Sequence, residues 1–199
     1  MSEADRERWD ARYGGAGLVM GAAPKAAVTA LLAPHLAPAR GGLALDVAAG
    51  EGQTGVFLAQ AGLARVDLVD VSAVGLAKAQ ALADAAGVGA RVRLHPHDLD
   101  AGLPGGLAPA YDVVTCLHFR PSPALAAQIA ARVAPGGLLL RTALAAAHFA
   151  GKGDGPSPRF LAAPGELAAD LGDAFEILAL VEGAPDGPPD SQLLARRRA

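Results

Sequence analysis

One cysteine, Cys116, is all the chain contains, which excludes an intramolecular disulfide and a multi-cysteine zinc site and suits a reducing compartment. Basic runs are as scarce. Arg196, Arg197 and Arg198 form the only one, and a solvated chain end accounts for it. With a formal net charge of −3 there is no electrostatic footprint for nucleic acid. Long uncharged runs are missing too. Alanine is the largest single part of the 52% hydrophobic content, and nothing reaches the roughly 18 apolar residues a spanning helix needs. Residues 1–13 are charged, unlike a signal peptide. These absences lead us to expect a soluble cytoplasmic protein with no membrane or nucleic-acid partner. No internal repeat suggests a solenoid, and 199 residues are most simply one domain.

What is present alternates. Residues 5–13 and 24–36 read as helices, 43–48 as a buried strand, and 53–60 as a helix. A strand over 65–69 leads to Ser72, a helix cap, and a helix to about Ala86 that Gly87 stops. Strands follow over 91–95 and 113–117, then a helix over 123–133, a turn at Pro135-Gly136-Gly137, and a strand over 138–142. A long loop over 150–158, a helix over 164–171 and strands over 175–181 and 192–195 complete the series. Alternation of this kind predicts an α/β fold, a doubly wound, Rossmann-like, mostly parallel sheet with helices on both faces. The last two strands, joined only by the turn at 183–189, are too close for a parallel crossover and should form an antiparallel hairpin.

In such a sheet a ligand sits at the carboxyl ends of the strands. Residues 45–55, LDVAAGEGQTG, place G-x-G-x-x-G at Gly50, Gly52 and Gly55 after the first strand, with Asp46 upstream and Glu51 inside the turn. Asp70 closes the second strand, where a carboxylate can take both hydroxyls of a ribose. A pyrophosphate would be repelled by carboxylates in its cradle, whereas a ligand carrying a sulfonium and an ammonium would not. Asp46 is placed to hold that ammonium.

These residues resemble a family. The run from Leu45 to Gly52 is similar to the first motif of class I S-adenosylmethionine-dependent methyltransferases, and VDLVDVS at 66–72 to the second. HPHDLD at 95–100, YDVVTCLH at 111–118 and the Pro-Gly-Gly turn continue the series. The W-D-x-R-Y of 9–13 and R-F-x-x-x-P-G-E-L of 159–167 extend it toward small bacterial members of the tellurite-resistance and thiopurine types. The resemblance implies one seven-stranded domain over 1–199, with the helices of 1–40 forming part of an acceptor lid and a Rossmann-like core over 41–199. It implies S-adenosyl-L-methionine as cofactor and S-adenosyl-L-homocysteine as product. Asp46, Ala48, Gly50, Gly52, Asp70, Val71, Asp98, Leu99 and Leu117 would then contact the cofactor. The family often has glycine where this chain has Ala48, and alanine's ordinary φ predicts a slightly wider turn. The alternatives are an NAD(P)-dependent oxidoreductase, supported only by G-x-G-x-x-G, and a methyltransferase-like domain that holds the cofactor without turnover.

Methyl transfer from a sulfonium is an in-line displacement that asks the protein mainly to position and desolvate. His118 is the candidate general base for a small-molecule acceptor. Arg12, Tyr13, Arg120, Arg141, His148 and Arg159 fall in segments expected around the acceptor mouth, and the arginines point to a small anionic or soft acceptor. His95, His97 and Asp98 form H-x-H-D, but no third ligand is evident and no metal is expected. Cys116 reads as a packing residue, and Glu51 as neutral to the ligand or facing solvent.

Overall fold

The computed structural model describes residues 3–151, 156–157 and 160–199. Its sheet runs through β1 (Leu43–Val47), β2 (Arg65–Asp70), β3 (Val92–Pro96), β4 (Tyr111–Cys116), β5 (Val133–Ala145), β6 (Leu161–Ala162), β7 (Phe175–Val181) and β8 (Asp190–Arg197). The order is β3-β2-β1-β4-β5-β8-β7, with β6 attached to β5 as an eighth strand. β1 to β5 are mutually parallel, and β8 runs antiparallel to both β5 and β7. The expected doubly wound sheet and its terminal hairpin are both there. The two-residue β6 is an addition the sequence pattern did not announce.

Strand periodicity divides the core between two faces. Leu45, Val47, Tyr111, Val114, Leu139 and Leu193 pack on one side against Leu125 and Ile129 of α5 (Pro123–Ala131). Their neighbours Ala44, Val66, Leu68, Val113, Leu140 and Leu194 pack on the other. That second face is covered by α2 (Ala26–Leu32), α3 (Gln53–Gln60) and α4 (Ala73–Ala85). α1 (Glu3–Tyr13) lies against α4. The short α6 (Ala146–Phe149) continues from β5. No helix among the described residues is long and apolar enough to cross a membrane.

Local chemistry sets most boundaries. Ser72 accepts the Gly75 N–H at 3.0 Å and opens α4. Ser122 accepts the Leu125 N–H at 3.3 Å and opens α5, with Pro123 at a first-turn position that needs no donor. Three expectations change. The helix expected over 24–36 stops at Leu32, because Pro34 cannot donate and its ring crowds the preceding turn; short 3-10 turns follow at Ala33–His35 and Ala37–Ala39. The helix expected over 164–171 is only a 3-10 turn at Glu166–Ala168, entered through Gly165 at φ 76°. The Pro-Gly-Gly turn lies inside β5 as a bulge opposite β4 rather than ahead of the strand.

Candidate functional site

At the carboxyl end of β1 the chain turns through Ala48 at φ 56°, Gly50 at φ 54° and Gly52 at φ 77°. Ala48 therefore adopts the left-handed conformation the expected wider turn would have avoided. The cost of order 1–3 kcal/mol is carried by the surrounding bonds, including Ala49 N–H to Val69 O at 3.1 Å and Gly52 N–H to Ala49 O at 2.9 Å. Asp70 ties this turn to the next. One oxygen accepts the Gly50 N–H and the other the Ser72 N–H, both at 2.8 Å. Each carboxylate oxygen has a second lone pair left for a further donor. Burial raises the Asp70 pKa, opposed by the Ser72 and Gly50 N–H groups.

Asp46 lies on the α3 face of β1 and is nearly inaccessible. Its Oδ1 accepts the Thr115 hydroxyl at 2.6 Å. Burial outweighs that bond and the bond from the Gly55 N–H, and lifts its pKa to about 7. A carboxyl in this state holds its proton far more readily than a free one, and a cation beside it would favour the ionised form.

Glu51 is only 1% exposed, contrary to the solvent-facing expectation. It turns away from the glycine cradle and accepts the Val19 and Met20 N–H groups at 3.1 and 3.2 Å, with the Lys78 ammonium at 3.4 Å. Lys78 also donates to the Gly15 and Gly17 carbonyls. Together the two side chains fasten residues 14–21 across the start of α4. Thus the acids facing the cradle are Asp46 and Asp70.

α1 forms a roof over the turn. Tyr13 is buried, and its hydroxyl stands 2.7 Å from where a Gly50 side chain would begin, its ring 2.9 Å from the equivalent point on Gly75. Burial, Asp70 and Glu51 all push the Tyr13 phenol pKa upward. Asp10, one turn earlier, accepts the Ser72 hydroxyl at 2.5 Å and so docks α1 on the cap of α4. Asp10 sits inside the W-D-x-R-Y pattern but had no assigned role; its register with Tyr13 on one helix face was the available signal.

Of the remaining cofactor candidates, Val71 and Leu99 are buried in the α5-side core. Leu117 is partly buried against the opposite core. Asp98 caps the 3-10 turn Leu99–Ala101 through the Asp100 N–H at 2.9 Å. His97 donates its N–H to Asp70 O at 2.9 Å, while its Nε2 is buried without a hydrogen-bond partner. That orphan atom is a polar group that a heteroaromatic ring edge could satisfy. Among the described residues, no group of three His, Cys, Asp or Glu is placed to hold a metal ion. Cys116 is buried, with its pKa pushed up to about 12 by burial, an inert thiol.

Among the described residues, the acceptor candidates do not converge. Arg141 is buried, with its guanidinium bidentate on Asp170 and donating also to Leu167 O at 3.2 Å and Ala126 O at 2.8 Å. It braces α5 against the segment after β6 and does not reach the mouth. Arg120 pairs with Glu166. Arg12 is exposed and lies over the Trp9 ring at 5.6 Å. His148 meets Ala184 O at 2.9 Å. Arg159 lies outside the described residues. Among the described residues, no cluster of guanidinium groups without carboxylates is formed, because Glu166 pairs with Arg120 and Asp170 with Arg141. His118, at φ 53°, stands at the end of β4, with its N–H on the Thr142 hydroxyl at 3.0 Å. Its neighbours are Lys25 and Asp190, neither of which the sequence reading singled out.

A family model described as a methyltransferase domain matches residues 44–137. No curated protein sequence matches the chain. Among solved structures, magnesium protoporphyrin IX methyltransferase from Synechocystis PCC 6803 with bound SAH is similar at 22% identity and TM-score 0.68, over 98% of this chain and 94% of that one. An S-adenosylmethionine dependent methyltransferase from Mesorhizobium loti is similar at 20% identity and TM-score 0.67, over 87% and 99%. TehB from Haemophilus influenzae is similar at 16% identity and TM-score 0.63, over 98% and 67%. Likeness at these identities carries the fold.

Proposed function

Because the chain carries a class I S-adenosylmethionine-dependent methyltransferase fold and domain, we propose that it transfers a methyl group from S-adenosyl-L-methionine to a small-molecule acceptor by in-line displacement. The carrying observation is the pair of buried acids, Asp46 and Asp70, flanking a glycine turn at the ends of adjacent strands. The donor set fits the cofactor. Asp70 keeps lone pairs for ribose hydroxyls, Asp46 offers a carboxylate to the ammonium, and the His97 Nε2 is an unused polar atom on the adenine side. Bound there, the cofactor would supply an activated methyl whose leaving group is a neutral thioether. The chain's own task is to hold the acceptor in line and exclude water, which the α1 roof and the fastened 14–21 segment serve.

Two features disfavour the oxidoreductase alternative. A dinucleotide's pyrophosphate would face the buried Asp46, and the β8–β7 hairpin replaces the parallel sixth strand of a dinucleotide fold. An anionic acceptor loses its main support once Arg120 and Arg141 are paired. The test is label transfer from methyl-labelled cofactor across selenite, tellurite, thiols, carboxylates, phenols and amines. Binding of S-adenosylhomocysteine with no acceptor labelled would instead indicate a domain that holds cofactor silently.

A further inference from the structure

Three elements meet beyond the end of β4. His118 leaves β4, Asp190 opens β8 opposite Leu144 of β5, and Lys25 precedes α2. Asp190 is 8% exposed, and its Oδ2 accepts from the Lys25 ammonium at 3.3 Å. Its Oδ1 is buried with no hydrogen-bond partner, and His118 Nδ1 stands 3.9 Å from it. A buried carboxylate oxygen without a donor is costly, most of all when charged. Closing that 3.9 Å gap by about 1 Å would make it a hydrogen bond. The His118 backbone is in a left-handed conformation, and its N–H is held by the Thr142 hydroxyl.

We propose that Asp190 is the positioning residue for His118, holding Nδ1–H so that Nε2 is left to take the proton of a hydroxyl- or amine-bearing acceptor. This rests on the methyl-transfer reading and narrows it to protic acceptors. In the step, the methyl–sulfur bond breaks with its electron pair going to sulfur, and the methyl–heteroatom bond forms. The acceptor's proton passes to Nε2, and the imidazolium so formed faces the Asp190 carboxylate. The charged groups bearing on the ring are Lys25 and Asp190. Burial and Lys25 hold the His118 pKa below its ordinary value, and Asp190 works against them. A histidine held below its ordinary value is largely neutral, and so ready to accept a proton, at pH 7.

The test reads the ring directly, by NMR titration of ¹⁵N-histidine-labelled protein, with His118→Gln to assign its signal. Asp190→Asn is expected to move the His118 pKa further down and to redistribute its tautomers away from Nδ1–H. Lys25→Met is expected to move the pKa up. Opposite signs in the two variants are the signature, and Lys25→Met carries the test if Asp190→Asn does not fold. Unchanged His118 titration in the folded variants overturns the dyad. With an acceptor in hand, His118→Gln should lower kcat about 100-fold with the KM for cofactor unchanged, and the acid limb of the kcat profile should follow the NMR pKa across variants. A limb that stays put overturns the base role. Failure of S-adenosylhomocysteine to bind wild type would instead sink the methyl-transfer reading, and leave the NMR result to stand or fall by itself.

Discussion

Asp46 shows how one buried carboxyl can link proton, ligand and stability. Its folded pKa near 7 stands well above the ordinary aspartate value of 3.8. The folded state therefore binds the proton more tightly than the unfolded state, and stability falls as pH rises from about 4 through 7. At about 1.4 kcal/mol per unit the full swing is on the order of 4 kcal/mol. Asp46→Asn should flatten that dependence and make the ligand-free protein more stable than wild type at pH 8, as urea unfolding at pH 5 and pH 8 would record. Equal slopes in the two proteins would mean that Asp46 is ionised throughout. Cofactor binding has the opposite sign, because an ammonium favours the ionised carboxyl. S-adenosylhomocysteine should bind more tightly at pH 8 than at pH 6, with about half a proton released per molecule near pH 7, visible as buffer-dependent enthalpy in calorimetry. Asp70 has a double duty that a sequence pattern could not reveal. Asp70→Ala removes the acceptor for two backbone N–H groups as well as any ribose contact, so it should lower stability by about 1–3 kcal/mol and cofactor affinity on the order of 100-fold.

At the scale of elements, side chains that look alike in sequence do different work. Glu51 and Lys78 fasten residues 14–21 with bonds to backbone groups, so Glu51→Gln, which keeps two acceptor sites in place of four, should loosen this strap more than it loosens the core. Hydrogen exchange at the Val19 and Met20 amides should speed up while β1 amides hold; unchanged exchange at both would show that the strap is held by other contacts. Arg141 and Asp170 form the brace between α5 and the segment after β6. Arg141→Met should cost about 3–5 kcal/mol, a loss of fold stability rather than of acceptor selectivity. The contrast explains what was legible in the sequence. Asp46, Gly50, Gly52, Asp70 and Ser72 were readable because each acts within a strand end or turn whose position local periodicity fixes. Partnerships such as Arg141 with Asp170, Arg120 with Glu166 and His118 with Asp190 span long stretches of chain and depend on where the hairpin and the 164–171 segment fold back. That segment reads as a helix by composition, but Gly165 at positive φ breaks it, and the Leu167 carbonyl is given to Arg141 instead. Ala48 misled for a related reason, since its left-handed φ is imposed by the surrounding turn and not by its own preference.

For the molecule as a whole, the sheet, the roof and the cradle meet at one place, and ligand binding should be felt through all three. Tyr13 from α1 covers the turn after β1, Asp10 docks the same helix on α4, and Asp70 joins the turns after β1 and β2. A ligand held between Asp46 and Asp70 must share this space with the Tyr13 ring. α1 then either packs on the ligand or shifts to admit it. A ligand that binds only the native state adds about 2.7 kcal/mol at 100 times its Kd. For a chain of this length each kcal/mol is worth about 2–4 °C. S-adenosylhomocysteine should therefore raise Tm by roughly 5–11 °C at that concentration, while NADH and NADPH leave it unchanged. Tyr13→Ala separates the two roles of the roof. If the ring packs on the ligand, the variant binds S-adenosylhomocysteine more weakly with a faster off-rate; if the ring obstructs it, the variant binds more tightly with a faster on-rate. A dinucleotide that stabilises the protein when S-adenosylhomocysteine does not would sink the methyltransferase assignment. Unchanged on- and off-rates in Tyr13→Ala would place the ligand away from the glycine turn, and the cradle would have to be sought elsewhere on the sheet.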